Sequence, residues 1–138
     1  MSGESASDRR RSTAVVLLVE DHETSADGYA QLLTASGYFV VRAKNGYEAL
    51  AEVSRDPPSL VVLDLKLPKL DGWELLERLK GDSSISSIPV VVVTGDPLPS
   101  HHEVARSRGA AAVLTKPIEP NDLLDAVRDQ LSRTVPRR

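Results

Sequence analysis

Five residues stand out by their chemistry and by what precedes them. Glu20 and Asp21 follow the apolar run VVLLV (15–19), Asp64 follows LVVL (60–63), Thr94 follows VVVV (90–93), and Lys116 comes one residue after AAVL (111–114). Three carboxylates, a hydroxyl and an ammonium brought to one rim would carry every charge that phosphoryl transfer needs. Crowded carboxylates repel one another unless they are protonated or bridged by a cation. At neutral pH a divalent ion is the economical bridge, and oxygen-only donors point to magnesium, which takes one or two carboxylates and keeps its other positions for water or phosphate oxygens. A carboxylate in such a site can act as the nucleophile toward a phosphoryl donor, giving an aspartyl phosphate. The transfer asks for positioning and charge neutralisation, the work of the metal, the Lys116 ammonium and the Thr94 hydroxyl.

These residues meet only if the elements before them lie side by side. The runs at 15–19, 39–41 (FVV), 60–63, 90–93 and 111–114 are mostly valine and leucine without polar alternation, as in parallel strands buried on both faces. Segments with helical spacing separate them: Ala26, Tyr29, Ala30 and Leu33; then Ala49, Leu50 and Val53; then Leu75, Leu76 and Leu79. A thinner stripe of Val104 and Ala105 marks a helix around 101–109, and Leu124, Val127 and Leu131 mark a last one opening at Pro120. Asp71 and Glu74 form a plausible capping pair for the third helix. Five strands alternating with five helices imply a doubly wound α/β sandwich with right-handed crossovers, whose commonest strand order is 2-1-3-4-5. In that order strands 1, 3 and 4 are neighbours and strand 5 borders strand 4. Ligands of open sheets bind beyond the carboxyl ends of the strands, so Asp64 is expected at the mouth of the sheet and not within it.

Composition restricts the rest. The 138 residues, 41% hydrophobic and 27% charged, suit one soluble domain. Seventeen basic against twenty acidic residues leave a formal charge of −3, which provides no overall field for nucleic acid or an anionic membrane. The absence of cysteine excludes disulfides and thiolate metal sites and suits a reducing, cytoplasmic setting. AVVLLV (14–19) is too short to span a bilayer and runs into two acids, so no signal or membrane span is expected. Residues 1–13, polar and bearing the Arg9–Arg11 run, are expected to be disordered; 14–132 form the domain; 133–138 form a flexible basic tail. His22, His101 and His102 are expected to be ordinary exposed polar residues, and Trp73 to cover the sheet or lie partly exposed on the third helix, without a ligand role.

The segments VEDHE (19–23), VVLDLKLPKLDGWEL (61–75), VVVVTGD (90–96) and LTKPIEPNDLL (114–124) together resemble the receiver domain of two-component response regulators over about Ala14 to Leu131. The resemblance implies a flavodoxin-like fold and a phosphoryl group received on Asp64 from a phosphohistidine of a sensor histidine kinase or histidine phosphotransfer protein. It implies magnesium held by Glu20, Asp21, Asp64 and the Lys66 backbone carbonyl, with Glu20 acting through water. Thr94 would bind a phosphoryl oxygen, Lys116 would pair with the phosphate, and a cis peptide would precede Pro117, where the X-Pro bond makes it feasible. As a stand-alone receiver, not a turnover enzyme, the chain would signal by contact with a downstream protein, without direct binding to nucleic acid or membrane.

Two positions set this chain apart. Val113 occupies the place where receivers carry an aromatic residue that swings inward on phosphorylation. Lys66 and Asp96, two residues after Asp64 and Thr94, are expected to pair across the site mouth. A phosphatase of the haloacid dehalogenase type would need a second acid where Lys66 stands, and a flavin module would need a phosphate-binding loop where EDHE stands. The remaining alternative is a degenerate receiver acting as a phosphorylation-independent interaction module.

Overall fold

A computed structural model describes residues 13–67 and 69–133. The chain alternates β1 (Val15–Val19), α1 (Glu23–Ala35), β2 (Phe39–Ala43), α2 (Gly46–Arg55), β3 (Leu60–Asp64), α3 (Gly72–Gly81), β4 (Val90–Thr94), α4 (Pro99–Ser107), β5 (Ala112–Thr115) and α5 (Pro120–Arg133). All four strand pairings are parallel and the order is β2-β1-β3-β4-β5, as expected. The expected disordered segment, apart from Thr13, and residues 134–138 of the expected tail lie outside the described residues. Arg133, assigned to that tail from sequence, is the last residue of α5, its Nε 3.2 Å from Asp129 Oδ2.

Strand alternation divides the core into two layers. Leu17, Val19, Val61, Leu63, Val90 and Val92 face α2, α3 and α4, where they meet Val53, Leu75, Leu76, Leu79 and Ala105. Val16, Leu18, Leu60, Val62, Val91 and Val93 face α1 and α5, where they meet Ala26, Leu33, Leu123 and Val127. Each fully buried leucine or valine contributes about 1.5–3 kcal/mol relative to exposure. Burial on both faces holds for β1, β3 and β4. It does not hold for β2 and β5, which are the sheet's edges and are half-covered along most of their length. The last helix also turns differently from its expected stripe. Leu123 and Val127, four apart, face the sheet, while Leu124 and Leu131 are half-buried. In α4 only Ala105 is buried, and Val104 is 38% exposed.

Short-range chemistry fixes the helix starts. Asn45 Oδ1 accepts the Glu48 N–H at 2.9 Å, and Glu48 Oε1 accepts the Lys44 N–H at 2.8 Å. Asp71 Oδ1 accepts the Glu74 N–H at 2.9 Å, but Glu74 pairs forward with Arg78, so the second half of the expected capping pair is missing. Gly72 is required by close approach: a Cβ there would lie 2.4 Å from Leu65 Cα. That contact seats α3 against the loop carrying Leu65, the residue after Asp64. Lys80, half-buried, gives its ammonium to the carbonyls of Ser86 (2.9 Å) and Ile88 (2.7 Å) and ties the α3–β4 loop to the helix.

Candidate functional site

The strand order explains why the acids converge. Val19 pairs with Leu63 across β1 and β3, so Glu20 and Asp21 leave the sheet beside Asp64. Glu20, Asp21 and Asp64 each offer a carboxylate oxygen, and these lie within 4.8 Å of one another. Asp64 is the last residue of β3 and only 4% exposed, as is Glu20. It therefore sits at the carboxyl edge as expected, yet it is buried. Asp21 is exposed. All three donors are hard oxygens, a set that fits a small divalent cation of the magnesium type.

Lys116 supplies the opposite charge. Its Nζ lies 3.1 Å from Asp64 Oδ2 and 3.5 Å from Glu20 Oε1, reaching across from the far side of the sheet. The backbone holds it there through the Lys116 N–H, which donates to Thr94 O at 2.8 Å. The Lys116–Pro117 peptide is cis, as expected. Asp64 Oδ1 accepts the Lys66 N–H at 3.0 Å, which leaves the Lys66 side chain exposed. Glu20 Oε2 accepts the His22 N–H at 3.1 Å. His22 is the N-cap of α1 and makes no side-chain cap bond, so the acids do not serve as that helix's cap residue.

The electrostatics follow from crowding. Burial, followed by the neighbouring Asp64 charge, raises the Glu20 pKa above the usual carboxylate value, against a lowering by Lys116. Burial draws the Lys116 ammonium down, but its hydrogen bond to Asp64 and the charges of Asp64, Glu20 and Tyr29 outweigh that and leave its pKa raised. Tyr29 belongs to this environment too. Its phenol is raised first by burial and further by Glu20 and Asp64, against Lys116. Spacing in sequence marked Tyr29 only as part of the α1 stripe, and nothing nine residues beyond Glu20 signals proximity to the acids.

Thr94 ends β4 and is 8% exposed. Its Oγ1 accepts the Asp96 N–H at 3.1 Å, which leaves the hydroxyl proton available. The expected Lys66–Asp96 pair does not form. Asp96 Oδ1 instead accepts the Leu98 N–H at 3.0 Å, and Oδ2 meets His101 Nδ1. A local partner on the adjoining helix takes the carboxylate before a lysine across the cleft can. His102 Nε2 lies 2.6 Å from the Asp96 carbonyl oxygen. The two histidines, expected to be plain exposed polar residues, therefore both engage the loop behind Thr94. Val113 is half-buried and lines a cavity of about 540 Å³ with Thr94, Asp96, His101 and Trp73. Trp73 packs against the core, with Arg108 over its ring at 5.2 Å.

Comparison with known proteins places the chain in a family. The family model of the response regulator receiver domain matches residues 16–128. The polar-differentiation response regulator DivK of Brucella anthropi is 34% identical over 116 residues, covering 84% of this chain and 94% of that protein. Its counterpart in Brucella ovis is 33% identical over 119 residues, covering 86% and 97%. A putative response regulator from Chloroflexus aurantiacus superposes with a TM-score of 0.84 at 30% identity, covering 88% of this chain and 99% of that one. A CheY-like receiver domain protein from Methanospirillum hungatei gives 0.81 at 30% identity, covering 88% and 95%. With its site geometry, its topology and a family match running from β1 into α5, the chain belongs to the response regulator receiver domain family.

Proposed function

We propose that the chain receives a phosphoryl group on Asp64 in a magnesium-dependent reaction and signals through protein–protein contact. The donor is a phosphohistidine on a sensor histidine kinase or histidine phosphotransfer protein. Receiver domains are signalling modules and not turnover enzymes, and the chemistry required here is one transfer. The observation that carries the reading is the placing of Asp64: a buried carboxylate within 4.8 Å of two further acids and 3.1 Å from an ammonium.

In the transfer, an Asp64 carboxylate oxygen attacks phosphorus, the P–N bond to the donor imidazole breaks, and the electron pair leaves with that ring. The Lys66 N–H and the Lys116 ammonium hold the two Asp64 oxygens in a defined orientation. Lys116 then offsets charge on the phosphoryl group, and the Thr94 hydroxyl donates to one of its oxygens. Glu20, Asp21, Asp64 and the Lys66 carbonyl would hold magnesium, which when bound neutralises the acids and the transferring group. The test is incubation with acetyl phosphate and magnesium, read by intact mass. The parent is expected to gain one phosphoryl group and Asp64→Asn none. An unmodified parent, also with a panel of kinases, would favour a phosphorylation-independent interaction module, the reading to which Val113 lends its only support.

A further inference from the structure

We propose that His101 is a positioning residue for phosphoryl transfer at Asp64: by holding the Asp96 carboxylate it fixes the N–H that Asp96 gives to Thr94 Oγ1, and so the direction of the Thr94 hydroxyl. The inference rests on the reading of Asp64 as phosphoacceptor and adds to it a control that lies outside the acid cluster.

The contacts form one chain. Asp96 donates its N–H to Thr94 Oγ1, and its own three acceptor atoms are all engaged: Oδ1 by the Leu98 N–H, Oδ2 by His101 Nδ1 and the carbonyl oxygen by His102 Nε2. Both histidines must be donors in these bonds, since a carboxylate and a carbonyl can only accept. The loop is thus held at every polar atom of Asp96. A hydroxyl whose lone pair is occupied by a fixed N–H has its proton confined to the remaining directions, which is the preorganisation a phosphoryl acceptor site requires. The same clasp stands in for a missing cap. The N-cap of α4, Leu98, makes no side-chain cap bond and the first turn contains no acid, so Asp96 satisfies the Leu98 N–H from outside the helix.

Removing His101 changes more than stability. Lys66 lines the same cavity and forms no ion pair among the described residues. An Asp96 carboxylate released by His101 becomes open to it. Asp96 would then turn toward the cleft, taking its N–H out of line with Thr94.

The experiment measures the rate of phosphoryl gain from acetyl phosphate at saturating magnesium across donor concentrations, for the parent, His101→Ala, His101→Asn, Asp96→Ala and the His101→Ala/Asp96→Ala pair. Expected for His101→Ala is a maximal rate lowered about tenfold with little change in half-saturating donor concentration, as for lost orientation without lost binding. His101→Asn, which keeps a donor near the Nδ1 position, restores the rate to within about threefold. The double variant loses no more than Asp96→Ala alone, because the two act along one path. A parent-like His101→Ala, or single losses that multiply in the double variant, overturns the inference while the Asp64 reading stands. A parent that gains no phosphoryl group sinks both.

Discussion

The acid cluster should make stability depend on magnesium with the slope of a single ion. Three carboxylate oxygens lie within 4.8 Å of one another, only one such group occurs among the described residues, and Lys116 is the one cation drawn into it. A ligand that binds one site on the folded state stabilises by RT ln(1 + [L]/Kd), so each tenfold rise in magnesium above Kd adds about 1.4 kcal/mol. For about 120 ordered residues that corresponds to roughly 5–6 °C in Tm per decade. The informative perturbation is Asp21→Asn. Asp21 is exposed and forms no ion pair among the described residues, so its loss removes a like charge without breaking a contact. Without metal, stability should stay within about 0.5 kcal/mol of the parent. With metal, the onset of the rise should move to at least about tenfold higher magnesium, since even outer-sphere partners of metal ligands are worth that much. Thermal unfolding followed by circular dichroism over a magnesium series reads both quantities. A parent Tm indifferent to magnesium, or an Asp21→Asn variant with the parent's onset, refutes the assignment of this cluster as the cation site.

Three further outcomes follow from the fold. Gly72→Ala places a methyl 2.4 Å from Leu65 Cα and 2.6 Å from Leu65 O, atoms that cannot yield. It should cost about 3 kcal/mol in urea unfolding and slow phosphorylation, since the displaced backbone adjoins Asp64; a neutral substitution would mean that α3 does not seat on that loop. Lys80→Met keeps the aliphatic stem but strips the donor from the Ser86 and Ile88 carbonyls, and a loss of about 1–2 kcal/mol at the urea midpoint is expected; an unchanged midpoint would show water replacing the ammonium freely. Asp82 makes a local contribution to the pH dependence. Hydrogen bonds from the Ser84 hydroxyl, then from its N–H, hold the Asp82 carboxyl below the usual 3.8. Folded chains therefore bind fewer protons there than unfolded ones, so the contribution is complete above about pH 3.8 and fades as pH falls through the lower folded value. The stability gap between parent and Asp82→Ala should narrow below that pH in urea titrations; a constant gap would show that the carboxylate's charge does not matter.

Much of the site was legible because its residues mark strand ends. An apolar run that stops at an acid, a threonine or, one residue on, a lysine reveals both the strand and the group at its carboxyl edge, as four of the five runs do, and five runs separated by helical stripes leave few topologies. Glu20, Asp21, Asp64, Thr94 and Lys116 could thus be singled out together. Several readings that failed concern which neighbour a side chain meets. Lys66 and Asp96 were expected to pair because both follow the site by two residues, but His101, five residues beyond Asp96 in the first turn of α4, holds the carboxylate instead. Tyr29 was read only as a stripe residue and Leu123 was left out of the last helix's stripe in favour of Leu124, because spacing suggests an apolar face and not which residue lies over the acids or the sheet.

The sequence by itself determined the elements, the cap at Asp71, and the charges delivered to one edge, since these depend on local periodicity and short-range hydrogen bonds. Tertiary structure decided that Asp64 is buried, that Lys116 spans to both Asp64 and Glu20, and that Asp96 answers to α4 and not to Lys66. The Lys116 contacts depend on distances of about 3 Å between segments far apart in the chain, and the Asp96 contacts on how the β4–α4 turn folds back on its own helix, neither of which periodicity encodes.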